Sequence, residues 1–208
     1  MPFARPTKRE QLGEAGLFEY AVGALARRMR TERDLRRLMK MRVEEGEAGA
    51  RAMDAVVAKL KELNYLSDER FAEGYTRVRK EHEKFGKRRV QQDLMQKGVT
   101  RELVASTLET AYEDVDEVAL ARQYIARKRM KQPSGEKAQK ETVRAINRLL
   151  RAGFSSRAVH KVLREWKLPE HALEQIETSG ADAEVFTELE ERAGDSDSYA
   201  RQNDRDDD

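Results

Sequence analysis

Apolar positions recur along this chain with a helical period, and they do so in tandem. Met53, Val56, Val57, Leu60 and Leu63 fall at i, i+3, i+4, i+7 and i+10, one face of a helix. Val159, Val162, Leu163 and Trp166 repeat the stripe near residue 160. The segments at 94–109 and 149–164 match position by position. Leu94 pairs with Leu149, Gly98 with Gly153, Val99 with Phe154, Thr100 with Ser155, Val104 with Val159 and Leu108 with Leu163, all at an offset of 55. Each copy predicts a helix stopped by a left-handed glycine at C′, then an apolar residue, then a hydroxyl N-cap opening the next helix. Phe71 with Leu120 and Tyr75 with Tyr124 repeat at an offset of 49. About six extra residues therefore lie between the first and second helices of the last unit, where Pro133, Ser134 and Gly135 supply a loop.

The pattern divides the chain into a flexible leader (1–15), three-helix repeats at 16–66, 67–113 and 114–177, and a terminal stretch at 178–208. In the first repeat, Leu17, Ala21, Ala24, Leu25 and Arg28 share a stripe, and Thr31 with Asp34 resembles a capping box. Leu35, Leu38 and Met39 mark the second helix, residues 43–50 a longer connector, and 64–66 the end of the third helix. Ser67 or Asp68 caps the next helix. The second repeat predicts helices near 68–82, 87–97 and 101–112, with a turn at 84–86. The third predicts helices near 116–131, 136–151 and 156–166, with a short extra helix after Pro169. The fold class is all-α: tandem three-helix, helix-turn-helix-like repeats in an elongated array, an architecture suited to an extended binding surface.

Composition sharpens this picture. Hydrophobic and charged residues are each 38% of the chain, enough apolar surface for thin helix–helix seams but not one thick core. The absence of cysteine removes disulfides, thiolate catalysis and Cys-type zinc sites. No apolar run approaches a membrane span of about 18 residues, and the first residues lack a signal-peptide core. A soluble, cytoplasmic protein is expected. The net charge of +2 conceals a division: residues 170–208 hold 14 acids and 3 bases, leaving 38 bases and 25 acids in 1–169. Residues 178–208 alone hold 11 acids and 3 bases and are expected to be disordered. A cationic helical array followed by an acidic tail implies nucleic acid or an acidic protein surface as partner.

Catalytic signatures are missing. His82, His160 and His171 are scattered without metal-ligand spacing, and no phosphate-cradling glycine motif or nucleophile elbow occurs. No catalytic residue, metal site or cofactor is expected, and the chain is not read as an enzyme. Basic residues cluster instead in all three repeats: from Arg27 through Arg33 and Lys40 to Arg42, from Arg77 to Arg89, and from Arg122 to Arg151. For any one of them a solvated helix face is the plainer explanation. Their recurrence on the first two helices of each repeat points to an aligned cationic stripe, comprising Arg27, Arg28, Arg36, Arg37, Arg79, Lys84, Lys87, Arg88, Arg89, Lys128, Lys140, Arg144 and Arg148. Tyr20, Tyr75 and Tyr124 lie among these charges, where packing within a repeat is favoured over stacking on bases.

Residues 60–79, LKELNYLSDERFAEGYTRVR, followed by FGKRRVQQDLMQKGV at 85–99, resemble the RecX family of recombinase regulators. The family's Leu-x-x-Leu-x-Tyr-Leu-x-Asp-x-Arg-Phe-Ala turn is filled by Leu60, Leu63, Tyr65, Leu66, Asp68, Arg70, Phe71 and Ala72. Residues 24–39, ALARRMRTERDLRRLM, resemble its first-repeat signature, whereas residues 40–50 depart from the usual Lys-Gly-aromatic turn. The resemblance spans about 17–167; the acidic tail matches no family motif. It implies three tandem three-helix units in a curved array. It also implies a non-catalytic, monomeric protein that binds the RecA filament of protein and single-stranded DNA, lying in or near its groove. Such a protein restrains ATPase, strand-exchange and coprotease activity in recombination and the SOS response. Weak direct DNA binding is compatible with this. The alternative is a helical protein that binds DNA directly, without RecA. The acidic tail is further expected either to compete with DNA for the basic stripe or only to solubilise the chain.

Overall fold

The structure, a computed structural model, describes residues 11–166, and there every regular element is a helix. In the first repeat, α1 (Glu14–Arg27), α2 (Glu32–Lys40) and α3 (Glu47–Glu62) bury Leu17, Ala21, Leu35, Met39, Val56 and Leu60 against one another. The second repeat contains α4 (Asp68–Glu81), α5 (Lys87–Gln96) and α6 (Arg101–Tyr112). The third contains α7 (Glu117–Arg127), a single 3-10 turn (Gly135–Lys137), α8 (Ala138–Arg151) and α9 (Ser156–Arg164). Residues 1–10, the extra helix expected after Pro169 and the acidic stretch at 178–208 lie outside the described residues.

Three element boundaries differ from the sequence expectation. Helix α1 starts before Gly16, and the preceding residues are tied down: the Leu12 amide donates to the Arg42 carbonyl at 2.7 Å. The connector after α2 is shorter than 43–50, because Glu47–Ala50 already form the first turn of α3. Helix α7 stops at Arg127 instead of continuing to 131, since Arg129 adopts a left-handed backbone (φ 48°) that ends the α ladder. The two glycine stops fall as expected. Gly98 and Gly153 are left-handed at φ 80° and 91°, and the apolar residues after them, Val99 and Phe154, are buried.

Of the four hydroxyl N-caps that the sequence offers, three form. Thr31 Oγ1 accepts from the Asp34 amide at 3.2 Å, Ser67 Oγ from Arg70 at 3.1 Å and Ser155 Oγ from Ala158 at 3.2 Å. Thr100 occupies the N-cap of α6, but its hydroxyl accepts no bond there. Asp68 does not cap its own helix. It reaches 36 residues back, where Oδ1 accepts from the Glu32 amide in the first turn of α2 at 2.8 Å.

One contact recurs between successive repeats. Thr31, just before α2, donates its hydroxyl to the Lys97 carbonyl at 2.7 Å. Gly86, the equivalent residue before α5, donates its amide to the Ala152 carbonyl at 2.9 Å. Donors and acceptors are both offset by 55 residues, so each bond spans 66. The turn before the second helix of one repeat thus docks on the glycine turn before the third helix of the next. This interlocking explains why the chain's two compact units do not follow the repeats: the divisions fall after Arg79, Val90 and Glu113.

Candidate partner and nucleic-acid interface

Of the thirteen basic residues expected to form a stripe, some are held by carboxylates and others stand exposed on helix faces. In the first unit, Arg36 is drawn into a structural network: Nε lies 2.7 Å from Glu32 and Nη1 2.6 Å from Asp54. Burial alone would lower its guanidinium, but the two carboxylates more than offset this and hold it above its ordinary value. Lys61 adds a second cation to Glu32 at 2.5 Å. Burial would raise the Glu32 carboxyl, yet its bonds from Lys61 and Arg36 keep it below the usual range. Arg79 is also engaged, lying over the Tyr75 ring at 4.8 Å and 4.0 Å from the buried Asp93.

Arg27, Arg28 and Arg37 are exposed and make no ion pair among the described residues. Arg37 stands with Arg33 and Lys40 at i, i+4 and i+7 on the side of α2 away from the buried Leu35 and Met39. This is a short basic ridge.

In the second unit, Lys128 bonds Glu83 at 3.2 Å, beside Arg127 on the same carboxylate at 3.3 Å. Arg122 is held in a two-pronged pair with Glu165, with Nη2 to Oε1 at 2.6 Å. Those bonds raise the guanidinium and lower the carboxyl. Lys87 and Arg89 are exposed in the first turn of α5, where Arg89 lies 5.9 Å from the Phe85 ring; Lys84 and Arg88 are half-buried.

Helix α8 carries the longest ridge. Thr142, Ala145, Ile146 and Leu149 are buried on one face, and Lys140, Arg144, Arg148 and Arg151 project from the other. Lys140, Arg144 and Arg148 stand about 6 Å apart along the axis, and Arg151 follows about 4.5 Å further on. Lys140, Arg144 and Arg148 make no ion pair among the described residues. Arg33, Lys40 and Arg151 stand outside the thirteen, yet the ridges include them. The signal was available: acting on helical spacing rather than local abundance finds all three.

The outward face of α5 breaks the series, with Arg88, Gln92, Met95 and Gln96 opposite the buried Val90 and Leu94. The tyrosines are packing residues. Tyr124 is buried edge-on to Phe154, with ring centres 5.7 Å apart. Tyr75 stacks on Phe71 at 5.7 Å and donates its hydroxyl to Asp93 at 3.0 Å. Tyr20 lies under Arg42 at 4.9 Å. Among the described residues no three His, Asp or Glu come together as metal ligands, and no helix is long and apolar enough to cross a membrane.

Residues 67–108 match the profile of the RecX second three-helix domain. Over 120 residues the chain is 34% identical to the regulatory protein RecX of Escherichia coli, covering 55% of this chain and 70% of that protein. The chain belongs to the RecX family. RecX of Listeria monocytogenes is 27% identical over 136 residues, which are 65% of this chain and 48% of that protein. The chain thus matches about half the length of the Listeria relatives. RecX of Caldanaerobacter subterraneus is 31% identical over 110 residues, 53% of each chain. The fold agrees with two solved structures, each 21% identical. A crystal structure of regulatory protein RecX superposes with TM-score 0.57 (73% of this chain, 71% of that one). That of RecX from Lactobacillus salivarius superposes with TM-score 0.53 (75% and 97%). In the RecX motif at 60–72, Leu60, Leu66, Phe71 and Ala72 are buried, whereas Leu63 and Tyr65 are 47% and 56% exposed. Asn64 takes a left-handed backbone (φ 56°), which brings the Tyr65 and Leu66 amides back onto the Leu60 carbonyl at 2.9 and 3.2 Å.

Proposed function

We propose that this RecX-family chain is a non-catalytic regulator of RecA, binding the RecA–single-stranded DNA filament and restraining its ATPase, strand-exchange and coprotease activities. The observation that carries this reading is the match covering 70% of Escherichia coli RecX. The surface is compatible: a filament offers phosphates and acidic protein side chains together, and exposed basic ridges on α2 and α8 suit both. The thirteen-residue site narrows accordingly. Arg27, Arg28, Arg37, Lys87, Arg89, Lys140, Arg144 and Arg148 are assigned to the interface, while Arg36, Arg79 and Lys128 are assigned to holding the fold.

The second reading is direct DNA binding without RecA, favoured by the unmatched ridge on α8. A salt titration separates the two. Contact with bare DNA falls steeply with salt on logarithmic axes, by about 0.7 to 0.9 per phosphate neutralised. Contact with the filament retains a salt-insensitive part from apolar surface, to which Leu63 and Tyr65 are suited. Affinity for the filament no greater than for bare DNA at every salt concentration favours the second reading.

A further inference from the structure

We infer that the ridge formed by Lys140, Arg144, Arg148 and Arg151 on α8 is a docking surface for this chain's own acidic segment, residues 178–208, which competes there with nucleic-acid phosphate. The inference concerns the free protein and does not depend on RecA being its target.

Three observations support it. The first is unmatched charge. Three basic side chains in the same unit are matched, Arg122 by Glu165 and both Arg127 and Lys128 by Glu83. Lys140, Arg144 and Arg148 have no such partner among the described residues. The second is complementarity: residues 178–208 carry 11 acids against 3 bases, a net charge of −8. Acids recur at Asp182, Glu184, Glu188, Glu190 and Glu191, matching a row of cations with a row of anions.

The third is the point of departure. The described chain ends at Trp166, whose carbonyl accepts a bond from the Gln132 side chain. Gln132 lies in the segment leading into α8, so the described chain ends beside the approach to the ridge. The twelve residues from Trp166 to Thr178 reach at most about 40 Å, and α8 with its 14 residues is about 21 Å long. Every position on the ridge is within range. A short tether of this kind corresponds to a millimolar effective concentration, so weak ion pairing suffices to occupy the ridge.

The sequence contains no cysteine, so Ser196→Cys in the full chain gives one attachment point for a nitroxide label. At low salt, paramagnetic broadening is expected at the amides of 138–151. It should vanish near 1 M salt, where the screening length is about 3 Å, and in the Lys140, Arg144, Arg148 and Arg151→Gln variant. Broadening absent from α8, centred on α2, or seen only from a labelled molecule onto a different one overturns the proposal. The second readout is affinity for a fluorescein-labelled oligo-dT. Changing the acids of 178–208 to Asn and Gln alters none of the described residues and should tighten low-salt binding at least about tenfold. The gain should disappear at high salt and in the ridge variant. Equal gains with and without the ridge would also overturn it.

Discussion

The backbones of Gly86 and Gly153 approach so closely that neither position has room for a side chain. A Cβ on Gly86 would lie 2.2 Å from the Gly153 carbonyl oxygen, and one on Gly153 would lie 2.3 Å from the Arg89 amide nitrogen. The contact is the second copy of the interlock that joins Thr31 to Lys97, and it sets the turn from which Lys87 and Arg89 project.

Gly86→Ala and Gly153→Ala are therefore expected to lose at least about 2 kcal/mol of stability each, because backbone must move to admit the methyl group. At Gly153 the positive φ adds to this. Urea denaturation checks it. Gly98→Ala should cost less, since its added Cβ would meet the Arg33 side chain rather than backbone.

Thr31 is fully buried and makes two bonds with one hydroxyl, accepting from Asp34 and donating to Lys97. Thr31→Val keeps the shape and removes both, leaving the part-buried Lys97 carbonyl and Asp34 amide to find other partners. A loss of about 2 to 3 kcal/mol is expected, with Thr31→Ser recovering most of it. Equal stability of the Val and Ser variants would show that the hydroxyl contributes nothing.

The repeat offsets, the glycine stops and the caps at Thr31 and Ser155 were legible in the sequence, because each depends on residues within a turn of one another. The partners of the basic residues were not. Glu83 lies 44 and 45 residues from Arg127 and Lys128, and Glu165 lies 43 from Arg122, so only the packed fold reveals which charges are already matched. Gly86 was legible as part of a turn but not as the partner of Gly153. The early end of α7 at Arg127 has no glycine or proline beside it to announce it.

Acid stability separates Glu32 from Asp68. The Glu32 carboxyl lies below its ordinary value when folded. Its contribution is thus present above the unfolded carboxylate range and lost as pH falls through the folded value. Asp68 is raised by burial, against the lowering effect of its bond from the Glu32 amide. Its charged form therefore opposes folding above the raised value, and that penalty is relieved as pH falls through it. Asp68→Asn retains an acceptor and should match or exceed the wild type at pH 7. Asp68→Ala should lose about 1 kcal/mol with the cap. Glu32→Gln should flatten the decline below about pH 4.5. Denaturant midpoints at pH 7 and pH 4 provide the check, and an Asn variant as weak as the Ala variant would contradict the assignment of Asp68.

Charge reversal distinguishes interface from scaffold in the second repeat. Lys87→Glu with Arg89→Glu should weaken filament binding while costing no more than about 1 kcal/mol of stability, the scale of the Arg89 contact with the Phe85 ring. Arg79→Glu brings a second carboxylate beside the buried Asp93 and removes the cation over Tyr75. It should lose about 1 to 3 kcal/mol. Filament co-sedimentation and thermal melts on the same samples read both effects.

The most direct test of the central claim is the rate of RecA-catalysed ATP hydrolysis on single-stranded DNA as this protein is added. The account predicts a falling rate at or below one copy per RecA, no hydrolysis by the protein alone, and weaker inhibition by the Lys87→Glu, Arg89→Glu chain. An unchanged rate at equimolar protein, or ATP turnover by the protein in the absence of RecA, would contradict it.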